Sequence, residues 1–223
     1  LPLMRLLPGG AVARRRRARA AISRAFRMHV WFMHRSRVLD FHIEGVEKLG
    51  RPGQMVVANH PSLIDVVFLI GQIRDANCVV KAGLFDNPCT RGPVSAAQYI
   101  SNDGSMTMLD RAADGLREGQ CLVVFPEGTR TRPGHAPVFH RGAAAIALRG
   151  ARTITPVYIT VEPTTLTKAE PWYRIPDRRV QVHLRVGQDI DPAAFTADAP
   201  LPIASRRLND HLHQLFIREL SAS

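Results

Sequence analysis

Short apolar segments alternate with segments of helical periodicity from residue 38 onward, and this alternation constrains the fold more than any other feature. Strands are predicted at 38–47, 55–58, 78–81, 98–101, 121–125, 154–161 and 180–186. Helices are predicted at 62–71, 109–116, 139–147 and 203–220. The pattern favours an α/β fold, a layered single domain with a mixed, largely parallel sheet flanked by helices.

The segment before this domain has the pattern of a long amphipathic helix. Residues 11–36 lack Pro and Gly, which permits about seven helical turns. The apolar side forms one stripe, which contains Ile22, Phe26, His29, Val30 and Met33. Arginines cluster opposite, with Trp31 among them. The pattern is typical of a helix in a membrane interface; the alternative is a helix that packs its stripe on its own domain.

The positive charge of the chain is concentrated in this first segment. The formal net charge is +11, but residues 1–37 contain ten arginines and no acidic residue, which leaves the rest nearly neutral. The sequence therefore predicts a basic amphipathic membrane-interface arm at 1–37, which precedes a domain at 38–223. An anionic membrane surface is the expected partner of the arm, and nucleic acid is not, because the basic charge does not continue over the domain.

Several other classes of protein are disfavoured. The most apolar stretch, 55–70, is interrupted by polar residues, so no membrane-spanning helix is expected. The three cysteines, Cys78, Cys89 and Cys121, form no C-x-x-C pair. A disulfide framework and a zinc site are therefore not expected, no metal site is predicted, and a reducing compartment is favoured. The chain begins with Leu1 rather than Met, so residues can be missing upstream.

Two segments contain residues suited to chemistry. In the first, His60 follows a strand and Asp65 lies five residues later, inside the predicted helix. A carboxylate that accepts from one imidazole nitrogen fixes the tautomer and leaves the other nitrogen as a base. In the second, an apolar strand runs straight into Pro126, which is followed by Glu127, Gly128, Thr129 and Arg130. Ligands of open α/β sheets bind beyond the carboxyl ends of strands, where both segments are predicted to lie.

Together these segments resemble the glycerophospholipid and lysophospholipid acyltransferase family, typified by 1-acylglycerol-3-phosphate acyltransferase. The first block of that family, N-H-x-S-x-x-D, is matched by Asn59, His60, Ser62 and Asp65. Its third block, F-P-E-G-T-R, is matched by residues 125–130.

The resemblance extends over about residues 38–190, with the blocks in the correct order. Lys81 matches a lysine that follows a strand in the family, and 154–159 matches the fourth block, an apolar strand with Pro-Val. The segment that begins at Phe139 is similar to the Gly-Ala helix start between the blocks.

The resemblance implies an O-acyltransferase that moves a fatty acyl group from an acyl-CoA or acyl-carrier-protein thioester, as co-substrate, to a hydroxyl of a lysophospholipid-like or other lipid acceptor. His60 is then the general base, and Asp65 orients it. The substrate-binding residues implied are Asn59, Ser62, Lys81, Glu127, Gly128, Thr129 and Arg130. Arg130 suits a phosphate, whereas Ser62 is interpreted as a hydrogen-bonding residue at a helix start rather than a nucleophile. No cofactor is implied.

The sequence departs from the family at its second block, which normally supplies an arginine for the acceptor's phosphate. No Lys or Arg occurs between Arg91 and Arg111. One charge-assisted hydrogen bond of about 1.5–3 kcal/mol corresponds to a roughly 10- to 150-fold change in affinity. We therefore expect an acceptor other than plain lysophosphatidate. The segments 99–103 and 162–176 also look like acyltransferases of bacterial aryl polyene pigment pathways.

The features together predict a bacterial peripheral enzyme on the cytoplasmic face of the inner membrane. Two alternatives remain open at this point. One is a thioester or ester hydrolase that uses His60 with water, and the other is a nucleic-acid-binding module with a basic arm. The second leaves both motifs unexplained.

Overall fold

The helices and strands form one α/β domain. The computed structural model describes residues 8–132, 134–168, 171 and 173–221. The helices are α1 (Ala11–Arg35), α2 (Asp65–Gln72), α3 (Gly83–Asp86), α4 (Arg91–Ala96), α5 (Met106–Arg117), α6 (Gly142–Gly150) and α7 (Leu201–Ser221). The strands are β1 (Leu39–Glu44), β2 (Gln54–Ala58), β3 (Ala76–Lys81), β4 (Ile100–Asn102), β5 (Cys121–Val124), β6 (Thr153–Glu162) and β7 (Val180–Val186). Residues 1–7 of the predicted arm, and 169, 170 and 172 of the 162–176 stretch, lie outside the described residues.

All seven strands belong to one mixed sheet in the order β1-β7-β6-β2-β5-β3-β4. The five strands from β2 to β6 are all parallel to one another. Strand β7 is antiparallel to β6 and parallel to β1. The carboxyl ends of β2, β3, β5 and β6 therefore meet at one edge of the sheet, which we call the carboxyl edge. The predicted fold class, a mixed and largely parallel sheet flanked by helices, is confirmed.

Helices cover both faces of the sheet, so its central strands are buried throughout. Every residue of β2 and β5 is buried, which explains their continuous apolar sequence. One face packs against α1 and α2 through a cluster that contains Ile22, Val30, Phe68 and Leu69. The other face packs against α5, α6 and α7. Strand β7, in contrast, alternates buried and exposed residues along most of its length.

Differences from the predicted elements occur mainly at their ends. The helix predicted at 62–71 begins at Asp65. A turn precedes it, because the Asp65 carboxylate accepts from the backbone N–H of Ser62 and the Ser62 hydroxyl donates to the carbonyl oxygen of Thr165. Phe139 precedes α6 rather than lying inside it. The short helices α3 and α4 were not predicted, since four and six residues are too few for a periodic pattern.

Helix α1 packs against the domain through the stripe that the sequence singles out. Ile22 and Val30 are buried, and Phe26 and Met33 pack partly buried against the same core cluster. The hydroxyl of Ser23 donates to the carbonyl oxygen of Gly71 in α2 at 3.0 Å. Four of the five stripe residues thus pack in or against the core, as in the second interpretation of this helix, whereas His29 is exposed. Whether the segment also contacts a membrane depends on its other faces.

The contact between α5 and α6 yields a stability prediction. A Cβ atom at Gly150, the last residue of α6, would lie 2.3 Å from the carbonyl oxygen of Ala113. We expect Gly150→Ala to lower the free energy of unfolding by about 1–3 kcal/mol, because backbone must shift to relieve the overlap. Gly92 in α4 has nothing within 4 Å, so Gly92→Ala should be neutral or stabilising by up to about 1 kcal/mol. Urea denaturation measures both, and equal stability of the two variants would contradict this packing.

Candidate active site

Two loops that leave the carboxyl edge are joined by hydrogen bonds. His60 lies in the loop after β2 and Glu127 in the loop after β5, and these strands are neighbours. The backbone N–H of His60 donates to Oε1 of Glu127 at 2.8 Å, and the backbone N–H of Thr131 donates to the carbonyl oxygen of His60 at 2.8 Å. The structure therefore brings the two predicted motifs into direct contact.

The predicted histidine and aspartate form a hydrogen-bonded pair. Nδ1 of His60 lies 3.0 Å from Oδ2 of Asp65. The same carboxylate oxygen accepts from the backbone N–H of Ser62 at 2.7 Å. Asp65 is fully buried, whereas the side chain of His60 is 15% exposed, and its ring packs on Phe125 with centroids 4.7 Å apart. The arrangement fixes the imidazole and leaves Nε2 available to a substrate.

The buried carboxyl of Asp65 has an unusual acidity. Burial raises its pKa from 3.8 to about 6, although the hydrogen bonds from His60 and from the N–H of Ser62 act in the opposite direction. The nearby Glu127 carboxylate adds to the rise. Oδ1 of Asp65 has no hydrogen-bond partner among the residues described. A carboxylate held in this way stabilises a positive charge on the neighbouring imidazole, because little water competes for it.

Glu127 links the two loops rather than pointing into solvent. Its carboxylate is buried and accepts from the backbone of His60 and from the hydroxyl of Thr131. Burial raises the pKa of Glu127, while these hydrogen bonds lower it. Thr131 lies one residue beyond the predicted motif and was not singled out from the sequence. Glu127, with Thr131 bonded to it, thus holds the backbone of His60 in place.

The segment 163–168, which follows β6, is bound to both loops. Oγ of Ser62 donates to the carbonyl oxygen of Thr165 at 2.7 Å. Nη1 of Arg130 donates to the carbonyl oxygens of Leu166 and Thr167 at 2.6 and 3.0 Å. Ser62 and Arg130, which are predicted to bind substrate, therefore donate to the backbone of this segment. The sequence offered no signal for this contact, since about 100 residues separate Ser62 from Thr165.

The other predicted binding residues differ in their surroundings. The amide of Asn59 is buried and exchanges two hydrogen bonds of 2.8 Å with the backbone of Ile159 in β6. Lys81 ends β3 at the carboxyl edge, and its side chain is exposed. Gly128 and Thr129 are also exposed, and Gly128 has a positive φ of 63° that favours glycine. Their predicted contacts with substrate remain predictions.

Among the residues that the structure describes, no group of three or more His, Cys, Asp or Glu side chains is arranged to hold a metal ion. None of the helices described is long and apolar enough to cross a bilayer. The three cysteine thiols are free.

Comparison with a solved structure supports the fold. The crystal structure of the 1-acyl-sn-glycerophosphate (LPA) acyltransferase PlsC from Thermotoga maritima superposes with a TM-score of 0.71 at 22% sequence identity. The match covers 98% of this chain and 86% of that protein. At this identity the likeness establishes the α/β architecture.

Comparison with curated sequences finds acyltransferases. The 1-acyl-sn-glycerol-3-phosphate acyltransferase of Saccharomyces cerevisiae is 28% identical over 170 residues, which cover 72% of this chain and 54% of the relative. The lyso-ornithine lipid O-acyltransferase of Pseudomonas aeruginosa is 27% identical over 134 residues, which cover 58% of this chain and 52% of the relative. The chain thus spans about half the length of these relatives.

A protein-family model described as Acyltransferase matches residues 40–160, more than half of the chain. That range includes His60, Asp65 and the whole segment from Glu127 to Arg130, which the structure brings together at one edge of the sheet. The chain belongs to the acyltransferase family.

Proposed function

We propose that the protein transfers an acyl group from an acyl-CoA or acyl-carrier-protein thioester to a hydroxyl of a lysophospholipid-like or other lipid acceptor. The observation that supports this most directly is the His60–Asp65 pair, 3.0 Å apart at the carboxyl edge, with Nε2 of His60 directed away from the pair. Membership of the acyltransferase family supports the reaction type.

The acyl group passes directly from the thioester to the acceptor, without an acyl-enzyme. Nε2 of His60 removes the proton of the acceptor hydroxyl as its oxygen attacks the thioester carbonyl. Asp65 accepts from Nδ1–H and stabilises the imidazolium that forms. The tetrahedral intermediate collapses with cleavage of the carbon–sulfur bond, and the thiolate takes up the proton that His60 holds. An ester and a free thiol result, and His60 returns to its neutral form.

The proposed acceptor is a lysolipid other than plain lysophosphatidate. The turn between β4 and α5, within the segment that lacks Lys and Arg, is closed by Asp103 and Ser105, which accept from backbone N–H groups. Nη1 of Arg130 already donates to two carbonyl oxygens. One relative is named for a lyso-ornithine lipid, an acceptor different from acylglycerol phosphate. An acceptor of the aryl polyene pathways, as the narrower resemblance implies, is a further candidate of this kind.

An assay of thiol release from a thioester donor, with and without a lipid acceptor, tests the proposal. Purified protein is given acyl-CoA or acyl carrier protein together with single lysolipids, thiol release is followed, and products are identified by mass spectrometry. Transfer requires an acceptor and yields the acylated lipid. Thiol release at the same rate without any acceptor would show a hydrolase instead. A strong preference for lysophosphatidate over all other lysolipids would contradict the proposed acceptor.

We also propose that the protein docks peripherally on the cytoplasmic face of the inner membrane, through a face of α1 other than the predicted stripe. Met28, Trp31 and Phe32 are 64%, 64% and 62% exposed, and their spacing of three and four residues places them on one side of the helix. Exposed arginines flank them at positions 24, 27 and 35. We call this surface the aromatic face of α1. Amphipathic aromatics beside arginines suit the headgroup region of an anionic bilayer.

The aromatic face is carried by the carboxyl-terminal part of α1, which ends near the edge of the sheet that holds His60. Leu39, just after α1, pairs with Val180 at the start of β7, and the next residue of β7 lies opposite Glu162, the last residue of β6. The carboxyl-terminal end of α1 is therefore near the carboxyl edge. Exposed apolar side chains occur also in loops that leave this edge, at Leu63 and Ile175. A membrane against the aromatic face would thus lie close to the catalytic loops.

Exchanging both aromatic residues tests the docking. We expect Trp31→Ser with Phe32→Ser to weaken binding to phosphatidylglycerol-containing vesicles at least about 10-fold, which corresponds to about 1.4 kcal/mol. Burying two aromatic side chains yields more than this. Ile203→Ser with Ile217→Ser, exposed positions on α7, is the matched control. Unchanged vesicle sedimentation of the Trp31/Phe32 variant would disprove the docking face. Deletion of 1–37 is a poorer test, because it removes Ile22 and Val30 from the core.

A further inference from the structure

A polar cleft lies beside the amino-terminal half of α1, away from the catalytic loops. It has two adjoining lobes of about 490 and 550 Å³, which share Arg15, Phe85, Ser95 and Gln98 in their walls. The second lobe reaches Asn77 near the start of β3 and Gln120 just before β5. These are the amino ends of strands, whereas His60 follows a carboxyl end. The cleft is therefore separate from the candidate active site.

The second lobe of the cleft lies beside a part of β3 that β4 does not cover. Ile100, the first residue of β4, pairs with Val79, so β3 has no β4 neighbour along its first three residues. The side chain of Arg19 lies near this gap and is 1% exposed. Its Nε donates to the carbonyl oxygen of Ala97 at 2.9 Å, and its Nη1 donates to Gln120 at 3.0 Å. The same Nη1 lies 3.5 Å from Asp75.

Three buried donor groups in the cleft wall lack partners. Nε of Arg15, Nη2 of Arg19 and the hydroxyl of Tyr99 make no hydrogen bond within the described part of the chain, and all three residues line the second lobe. Tyr99 is 7% exposed, and burial raises the pKa of its hydroxyl well above the ordinary value, so that it remains a donor. Because buried donors are nearly always bonded in native proteins, three without partners in one wall indicate acceptors that come from water or a ligand.

The charges around the cleft favour an anion. Five arginines line its two lobes, at positions 14, 15, 19, 91 and 111. Two acids, Asp114 and Glu118, also line it, and Asp114 is paired with Arg117. Asp75 contacts Arg19 and Arg16 from outside the lining. Burial lowers the pKa of Arg19, Asp75 opposes this, and the like charge of Arg15 lowers it further. The net charge of the lining is positive, and an anion between these arginines would offset their repulsion.

We propose that this cleft binds a phosphate group. A phosphate offers several acceptor oxygens in the geometry that guanidinium groups and a hydroxyl satisfy together. Sulfate-sized anions alone would occupy only part of the volume, so the phosphate belongs to a larger molecule or is held with water. Three sources share this chemistry: free phosphate, the phosphorylated nucleotide portion of coenzyme A, and the headgroup of an anionic phospholipid.

Calorimetric titration of the full chain distinguishes these sources. The probes are inorganic phosphate, coenzyme A compared with dephospho-coenzyme A, and soluble dihexanoyl phosphatidate. Saturable binding of at least one probe is expected. Loss of affinity on removal of the 3′-phosphate would identify coenzyme A as the source, and preferential binding of phosphatidate would identify a lipid. The proposal is overturned if none of the probes binds saturably.

Variants on the cleft wall test the assignment. Arg111→Gln, at an exposed position, should lower the affinity for the probe about 10-fold or more, because one charge-assisted hydrogen bond is lost. Tyr99→Phe, which changes no charge, should lower the affinity for the probe several-fold. Arg207→Gln on α7 removes the same charge elsewhere and should leave affinity unchanged. Equal weakening by Arg207→Gln would show a nonspecific charge effect and refute the site. His60→Ala should bind the probe normally, so that this test is independent of catalysis.

Discussion

His60→Ala is expected to reduce acyl transfer by about 10²- to 10⁴-fold, the range that general base catalysis supplies. The reason is geometric, because Nδ1 of His60 is held 3.0 Å from Asp65 and only Nε2 is left to take a proton from the acceptor. The rate of thiol release in the presence of acceptor measures the effect. The side chain of His60 is partly exposed and belongs to neither core cluster, so the variant should fold normally.

A second histidine provides the control for this variant. His211 is exposed on α7 and packs on Phe195, far along the chain from both loops of the candidate active site. His211→Ala should retain the rate of the unaltered protein. Circular dichroism and the melting temperature establish that both variants are folded. Full activity of a folded His60→Ala protein would disprove the mechanism.

Asp65→Asn is expected to abolish most activity without loss of stability. An amide in place of the carboxylate cannot stabilise the imidazolium and can donate to Nδ1, which favours the wrong tautomer. Loss of a comparable carboxylate in a catalytic triad costs about 10⁴-fold in rate. We therefore expect a decrease of about 10³- to 10⁴-fold in acyl transfer, measured with the same thiol assay.

The stability of this variant follows from the raised pKa of Asp65. The folded pKa of about 6 exceeds the ordinary 3.8, so between these values the folded state binds more protons than the unfolded state. Stability therefore falls as pH rises through this window, and above pH 6 the buried charge costs about 3 kcal/mol. An amide does not ionise, so Asp65→Asn should be as stable as the unaltered protein or more stable at pH 7.5.

Melting curves at two pH values make the comparison sharp. The advantage of Asp65→Asn over the unaltered protein should be largest near pH 7.5 and should shrink as pH is lowered toward 4. Activity of the unaltered protein should decline as pH falls through about 6, because a protonated Asp65 has no negative charge to stabilise the imidazolium of His60. If the stability difference between Asp65→Asn and the unaltered protein favoured the variant less at pH 7.5 than at pH 4, burial would not be the cause of the raised pKa of Asp65.

The sheet and the pairing of the two motifs could be predicted because both follow from local patterns. Continuous apolar residues at 55–58 and 121–124 indicate strands buried on both faces, and parallel strands carry their following loops to one edge. His60, Asp65 and Glu127 therefore had to lie near one another. Their family resemblance rests on the same residues.

The roles of several site residues could not be predicted, because their partners are distant in sequence. Arg130 has a guanidinium suited to phosphate, but its Nη1 bonds the backbone of Leu166 and Thr167. The carboxylate of Glu127 is used by the backbone of His60. Hydrogen-bonding capacity is a property of the residue type, whereas the group that uses it depends on which loops the sheet brings together.

The sequence by itself determined the α/β class, the strand order along the chain, the two motifs and the basic amphipathic character of residues 11–36. Only the tertiary structure decided how that helix is oriented. Its apolar stripe, apart from the exposed His29, packs against the core, so that Trp31 and Phe32 remain exposed and Arg19 is buried. The physical reason is that periodicity defines which residues share a face, but burial depends on what packs against each face, and that is fixed by contacts between residues far apart in the chain.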